Sequence, residues 1–413
     1  MSALDVTSIR ARFPALAREI DGRPVVFVDA PGGSQVSDGV IEAMASYLRR
    51  SNANAHGAFA TSQETDELIA RAHAAAADLV NADPDEVAFG PNATTLLLAI
   101  SRSVGRTLGP GDEVVVTRLD HDANVRPWVL AAADAGASVR WVDVRPDDVT
   151  LDLASFEVAL SERTRVVAFT LASNAVGTIP PAADLIRLVR DRTDAIVACD
   201  AVHLAQHRRI DVRSLDADLL VCSPYKIFGP HVGILFGRRA VLSSLRPYKV
   251  RPASDDLPDA FETGTQNHEG QAGFVASVDY LAGLADGSSV DRRRRLDAAF
   301  RAIGEHEEGL SRRFLDGLRA IPGVRLFGIG DVERLDERTP TFAVRVGDRH
   351  PAETAKALGE RGVFVWDGNY YALEVMERLG LEQTGGAVRI GFCHYHTAEE
   401  VDRVLQELDD LAA

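Results

Sequence analysis

Lys226 ends an apolar run, Asp218-Leu-Leu-Val-Cys-Ser-Pro-Tyr-Lys226, and precedes the turn Ile-Phe-Gly-Pro230. The run predicts a buried strand with an amine at its carboxyl end, the edge at which open α/β sheets bind ligands. A second apolar run, Ala195-Ile-Val-Ala-Cys-Asp200, ends in a carboxylate. Two accounts fit a buried lysine and a buried aspartate at neighbouring strand ends. Chemically, they are what pyridoxal phosphate needs: the lysine forms a Schiff base, and the aspartate keeps the pyridine nitrogen protonated so that the ring accepts electrons. Structurally, they are a buried ion pair, or a lysine stem running past the strand edge. The pair alone leaves both open.

A phosphate needs backbone N–H groups, best supplied at a helix N-terminus. Asn92-Ala93-Thr94-Thr95 lies between the short strand ending at Phe89 and the apolar helical run Leu96–Val104, and it brings hydroxyls as well. An ordinary helix cap has the same composition. Ser223, just before Lys226, adds another hydroxyl, and Glu262-Thr-Gly-Thr265-Gln-Asn267 is a second polar glycine turn. His121-Asp122-Ala-Asn124 follows the strand Val114–Val116, one β-α unit beyond the phosphate loop. A lone histidine there is more often structural than catalytic. Asn174 ends the next strand, where a plain turn former would also sit. His203, one helical turn past Asp200, reaches the same pocket. Arg389, in Val388-Arg-Ile-Gly-Phe, suits bidentate capture of a carboxylate, or else a surface salt bridge. All of these groups would face one cleft from successive strand ends.

The elements that must position them follow from the pattern of the chain. Strand-like runs recur at Val25–Ala30, Glu113–Thr117, Ser138–Val142, Arg165–Thr170, Ala195–Cys199, Ala217–Cys222 and Gly233–Gly237, with helical stretches such as Val36–Arg50, Val129–Ala135 and Leu185–Arg192 between most of them. Such β-α alternation, with runs apolar on both faces, predicts an α/β fold with a mostly parallel sheet covered by helices. Gly233–Gly237 is the expected exception, since it follows its neighbour after a short turn. A charged Asp291-Arg-Arg-Arg-Arg-Leu run opens a long helix with a solvated face. Beyond it, Val324-Arg-Leu-Phe, Thr341–Val346, Val363-Phe-Val-Trp and Val388–Phe392 predict a smaller α+β domain with a partly antiparallel sheet. The expected division is a large domain over 26–285 and a small one formed by 1–25 together with 286–413.

At 413 residues the chain suits two domains. Its 46% apolar and 26% charged residues are ordinary for a soluble protein, and the net charge of −16 argues against nucleic acid or an anionic membrane as partner. No apolar stretch approaches the roughly 18 residues a membrane helix needs, and there is no signal-peptide pattern. Three cysteines without metal-ligand spacing, Cys199, Cys222 and Cys393, fit small core residues in a reducing cytoplasm. No metal site is expected.

On these motifs the chain resembles fold-type I pyridoxal-phosphate enzymes of the class V aminotransferase and cysteine desulfurase group. The matching segments are Asp29-Ala-Pro-Gly-Gly, Phe89-Gly-Pro-Asn-Ala-Thr, His121-Asp-Ala-Asn-Val-Arg-Pro-Trp128, Ser173-Asn-Ala-Val-Gly-Thr178, Asp200-Ala-Val-His203, Ser223-Pro-Tyr-Lys226, Gly264-Thr-Gln-Asn and Arg389. They keep the family's order through nearly the whole length. The resemblance is greatest to cysteine desulfurase-like proteins. It implies that Lys226 carries the cofactor as a Schiff base and later acts as base at the substrate Cα. Asp200 would pair with the pyridine nitrogen, and His203 would lie near the phenolic oxygen or ring edge. Ala93, Thr94 and Ser223 would hold the phosphate, with Thr265 contributed by the other subunit of a homodimer. Asn174 would lie near the phenolic oxygen and the substrate carboxylate, which Arg389 would bind.

Two departures stand out. In desulfurases a histidine stacks on the cofactor ring where this chain has Asp122, which is instead expected near the substrate. Desulfurases also carry a mobile cysteine on a loop before the carboxylate-binding arginine, whereas the corresponding stretch, Val363-Phe-Val-Trp-Asp-Gly-Asn-Tyr-Tyr-Ala-Leu-Glu374, has none. A persulfide mechanism therefore lacks an evident nucleophile. Through an external aldimine and a Cα carbanion, the expected outcome on a small amino acid is β-elimination without a persulfide carrier. Transamination and racemisation are the alternatives. A different class of function, a cofactor-binding regulatory protein without turnover, is disfavoured by the intact Lys226, Asp200 and Arg389. Tyr225, Tyr370, Trp366 and His268 are candidates for shaping the side-chain pocket.

Overall fold

The structure, a computed structural model, describes residues 4–284 and 291–413. Seven strands form the main sheet: β1 (Val87–Gly90), β2 (Glu113–Thr117), β3 (Ser138–Val142), β4 (Thr164–Thr170), β5 (Ile196–Asp200), β6 (Leu219–Cys222) and β7 (Gly233–Gly237). Their spatial order is β1-β7-β6-β5-β4-β2-β3. Only β7 runs against its neighbours, pairing antiparallel with both β6 and β1. The expected exception is thus the observed one, and its cause is the short connection from Lys226 to Gly233, too brief for a crossover helix.

Alternation along the strands explains why the runs read as apolar throughout. Val115, Val167, Val197 and Leu220 enter one hydrophobic cluster, while Val114, Val116, Val166, Ala198 and Val221 enter another on the opposite face. Both faces are covered, as parallel sheets require. Helices Ala93–Gly105 and Arg126–Ala135 pack over one face, joined by the buried Trp128.

A second sheet contains β8 (Val324–Phe327), β9 (Thr341–Val346), β10 (Trp366–Gly368) and β11 (Ala387–Gly391) in the order β8-β9-β11-β10, with every pairing antiparallel. The helix Arg292–Leu318 leads into it from the first sheet. Phe314, Phe342 and Phe392 fill its core together with Val26 and Val28. Val26–Phe27 pairs in parallel with Val363–Phe364, so the first strand-like run joins the carboxyl-terminal half rather than the seven-stranded sheet. The expected boundary at 285 lies outside the described residues. Among the described residues no helix is long and apolar enough to cross a membrane, and no group of His, Cys, Asp and Glu side chains is placed to hold a metal ion.

Candidate active site

The carboxyl ends of β1, β2, β4, β5 and β6 open into a cavity of about 500 Å³ lined by Ala93, Thr94, His121, Asp122, Asn174, Asp200, His203, Ser223, Tyr225 and Lys226. Nine of the ten residues named in the sequence as site candidates therefore meet the cavity or its neighbour; Arg389 lines an adjoining space of about 640 Å³ that also touches His121, Asn174, Tyr225 and Lys226. The exception is Thr265, which is exposed in its glycine turn and lines neither space of its own chain. Tyr370 and Trp366 line the second space; His268 lines neither.

Lys226 and Asp200 arrive on adjacent strands. Asp200 is paired in register with Val221 of β6, and Lys226 closes the helical turn Pro224–Lys226 that follows β6. Both are buried, at 5% and 4% exposed. Burial drives the Lys226 amine down to about 7, helped by the positive charge of Arg389 and opposed by Asp200. Burial likewise raises Asp200 to about 6, against the Val202 N–H that donates to its Oδ1 at 2.8 Å and the charge of Lys226. The two sense each other through charge and make no direct ion pair among the described residues. The structural account, a lysine and aspartate that neutralise one another, is not what the fold builds. Both groups remain available to a third.

Arg389 enters from the second sheet, where β11 pairs with β9 and β10. Its Nη1 donates to the Asn174 carbonyl at 2.9 Å, and its guanidinium lies over the Tyr370 ring at 4.5 Å. Its Nε is buried without a partner. Asn174 donates Nδ2 to the Tyr370 carbonyl at 2.8 Å and keeps an unpaired, buried Oδ1. His203 Nε2 is bonded to the hydroxyls of Thr341 at 2.9 Å and Thr339 at 3.2 Å, and its buried Nδ1 is free. Unpaired buried polar atoms are costly in an apolar interior and point to a ligand that satisfies them.

The loop before the helix Ala93–Gly105 is held by Asn92, whose Oδ1 accepts from the Thr95 N–H at 2.8 Å and caps that helix. That leaves the first N–H groups of the helix, near Ala93 and Thr94, for an anion. The loop presses against β7: a Cβ on Gly233 would stand 2.4 Å from the Asn92 carbonyl carbon. Backbone cannot yield as a side-chain tip can, so Gly233→Ala is expected to displace the loop. Retention of an anionic ligand should fall at least about tenfold, the equivalent of 1.4 kcal/mol. Equilibrium dialysis measures it, and unchanged retention would disprove the role given to this contact.

The imidazole at this wall of the cavity belongs to His121, and Asp122 lines the cavity next to it. His121 Nδ1 accepts from the Ala123 N–H at 3.0 Å, which anchors the turn and turns the ring inward. Burial, with the charges of Lys226 and Arg389, lowers it to about 3, so the ring is neutral with its proton on Nε2. Asp122 is half-buried at the cavity wall, its carboxyl raised by burial and countered by Arg126. Its N–H donates to the Tyr371 carbonyl at 2.7 Å. The sequence places the His121-Asp122 turn at the ligand end of the sheet but leaves its lone histidine a structural residue by default; its position directly after the Leu-Asp pair that ends the turn from β2 was the available signal for more.

The three cysteines are all buried and free, and none borders either cavity. Burial pushes Cys222 up to about 12 and holds Cys199 and Cys393 far above the ordinary thiol range. The stretch in which desulfurases place a cysteine is here the strand β10, a tight turn and the helix Leu373–Arg378. Tyr370 and Tyr371 take positive φ values of 54° and 58° in that turn. Three bonds impose this: Asn174 to the Tyr370 carbonyl, the Asp122 N–H to the Tyr371 carbonyl, and the Tyr371 N–H to Asn369 Oδ1 at 3.1 Å.

The model of the "Aminotransferase class-V" family matches residues 26–404. The chain belongs to this family. It is 30% identical over 98% of its length to a cysteine desulfurase of Pectobacterium atrosepticum, covering 97% of that protein. It is 31% identical over 98% of its length to a probable cysteine desulfurase of Streptomyces coelicolor, covering 97% of that protein. The fold is that of the cysteine desulfurase from Thermococcus onnurineus, with a TM-score of 0.88 at 26% identity over 100% of this chain and 99% of that one. It also matches the desulfurase CsdA of Escherichia coli, with a TM-score of 0.85 at 24% identity over 99% of each chain. Enzymes of this family depend on pyridoxal phosphate, and this chain is one of them. The residues fit the cofactor: a buried amine, a buried carboxylate on the adjacent strand, an open helix N-terminus, and the unpaired His203 Nδ1 and Asn174 Oδ1.

The charge coupling in the site sets a pH dependence. Attachment of the cofactor aldehyde requires the Lys226 amine unprotonated, so its rate should rise as pH increases through about 7 and then level off. Arg389 is one of the influences that lower Lys226, so Arg389→Gln should move this rise to higher pH. Stopped-flow growth of the visible absorbance on adding pyridoxal phosphate to the apoprotein measures both. A rise that stays put in the variant would count against the coupling.

Proposed function

We propose that this chain is a pyridoxal-phosphate lyase that removes a leaving group from Cβ of a small amino acid, without a sulfur-carrying cysteine of its own. One observation carries the reading: Lys226, Asp200 and Arg389 are intact around one site while every thiol of the chain is sealed in the core.

Ala93, Thr94 and Ser223 would hold the phosphate, Asp200 the pyridine nitrogen, His121 the ring face, and His203 and Asn174 the ring edge and phenolic oxygen. Bound there, the cofactor supplies the electron sink that makes a substrate Cα–H acidic. Arg389 takes the substrate carboxylate through its unpaired Nε, and this orients Cα toward Lys226. Lys226 Nζ accepts the Cα proton, and an amine that burial holds near 7 is matched to that task at neutral pH. The neutral His121 ring shields the face of the site without adding a competing charge. With no thiolate near the substrate, departure of the Cβ group needs only its own leaving ability. Thr265, exposed and outside the lining of its own cavity, is suited to reach the phosphate of a second subunit in a homodimer.

Incubation of the holoenzyme with L-cysteine and other β-substituted amino acids tests this. Pyruvate should appear in step with the released group, and no sulfur should remain on the protein. Pyridoxamine phosphate formed without release would replace the lyase by a transaminase. Alanine, with sulfur retained on a cysteine, would restore a desulfurase.

A further inference from the structure

The second cavity, about 640 Å³, extends from Lys226 and Arg389 to a wall made by Trp366, Asp367 and Glu382. We infer that the substrate is an α-amino acid with a cationic side chain, whose far end is held by Glu382 and Asp367. The inference deepens the proposed function and rests on Arg389 taking the α-carboxylate.

The charges of the cavity lead to it. Lys226 is committed to the cofactor, His121 is neutral, and Arg389 keeps a buried, unpaired Nε for a carboxylate. His350 sits at the rim against Gly385, its Nδ1 accepting from the Ala352 N–H at 3.3 Å. What remains is two carboxylates, and neither has an ion-pair partner among the described residues. Glu382 is not a loose surface acid. Asn369 Nδ2 donates to both its oxygens, at 3.1 and 3.2 Å, and Asn369 also holds the Tyr371 N–H. The same asparagine thus fixes the acid and the turn that replaces a mobile loop. Asp367 lines the same cavity from the edge strand β10, where it pairs with Val388.

Aromatic faces complete the wall. Trp366 packs so close to Gly32 that a Cβ there would stand 2.3 Å from the indole nitrogen, and Tyr371 stacks on His121 with centroids 5.5 Å apart. Aromatic faces beside carboxylates attract cations. An anionic side chain would meet the same wall as a like charge, and this discriminates as well as the attraction does.

Binding of amino acids to the holoenzyme, read from the shift of its visible band, tests the inference without turnover. L-Ornithine and L-norleucine have side chains of equal length, one ending in ammonium and the other in methyl, and L-glutamate supplies the anion. Ornithine should bind at least tenfold tighter than norleucine, and glutamate weakest. In Glu382→Gln and Asp367→Asn the ornithine advantage should shrink several-fold, with norleucine unchanged. Equal binding of ornithine and norleucine by the wild type would overturn the inference while leaving the proposed function standing, even if neither variant folds. A band that no amino acid shifts would overturn both.

Discussion

Lys226→Ala is expected to lose the visible band of lysine-bound cofactor and to lower turnover by about 10⁴-fold, the upper end of what one positioned proton-transfer group supplies. The protein should stay folded. Lys226 makes no direct ion pair among the described residues, and its amine is already depressed to about 7 by burial. Its loss removes an awkward buried group rather than a structural contact. Asp200 would lose a nearby cation that lowers it and so rise above its present value of about 6. Absorbance spectra and a thermal melt on the same sample separate the two effects. A variant that keeps both its band and its turnover would remove the basis for every assignment in the site.

Asp200→Asn should be the next most damaging change and should act differently. Asparagine keeps an oxygen for the Val202 N–H, so the strand end is preserved. What disappears is one buried negative charge. At an effective dielectric constant of about 20, a close opposite charge is worth about 4 kcal/mol, equivalent to roughly 10³-fold in rate. The cofactor should still attach to Lys226, whose amine would fall further because Asp200 is the influence that raises it. In the wild type, turnover should drop as pH falls through about 6, where Asp200 takes up a proton. That acid limb should be missing in the variant. A pH profile of turnover reads it, and an acid limb that persists unchanged would assign it to another group. Asp120, buried and raised to about 8 by burial against its bonds from Thr117 and Asn124, is a neighbouring carboxyl protonated at neutral pH and so has no such limb to give.

The chain alone determined the alternation of strands and helices, the antiparallel strand Gly233–Gly237 and the convergence of Ala93, Thr94, Asn174, Asp200, His203, Ser223 and Lys226 at one sheet edge. These follow from local rules: apolar runs long enough for strands, and parallel connections that bring every carboxyl end to the same side. Arg389 was legible as a cleft-facing guanidinium, but its bond to the Asn174 carbonyl and its place over the Tyr370 ring were not, because they depend on how β11 is set against the turn at Asn174.

Other features were decided only by tertiary structure. His121 and Asp122 are neighbours with similar sequence signals and both line the cavity; the bond from the Ala123 N–H that anchors the His121 ring there is seen only in the structure. The absence of a loop cysteine was visible in the sequence. That Cys199, Cys222 and Cys393 are all out of reach required the packing. The acid wall of Asp367 and Glu382 joins residues from a strand and from a turn beyond the following helix, and Asn369, two residues past Asp367, donates to both oxygens of Glu382. A sequence specifies which groups occur along each strand and turn. Which of them share a cavity, and with what charge, depends on contacts between segments far apart in the chain, and only the folded molecule makes those.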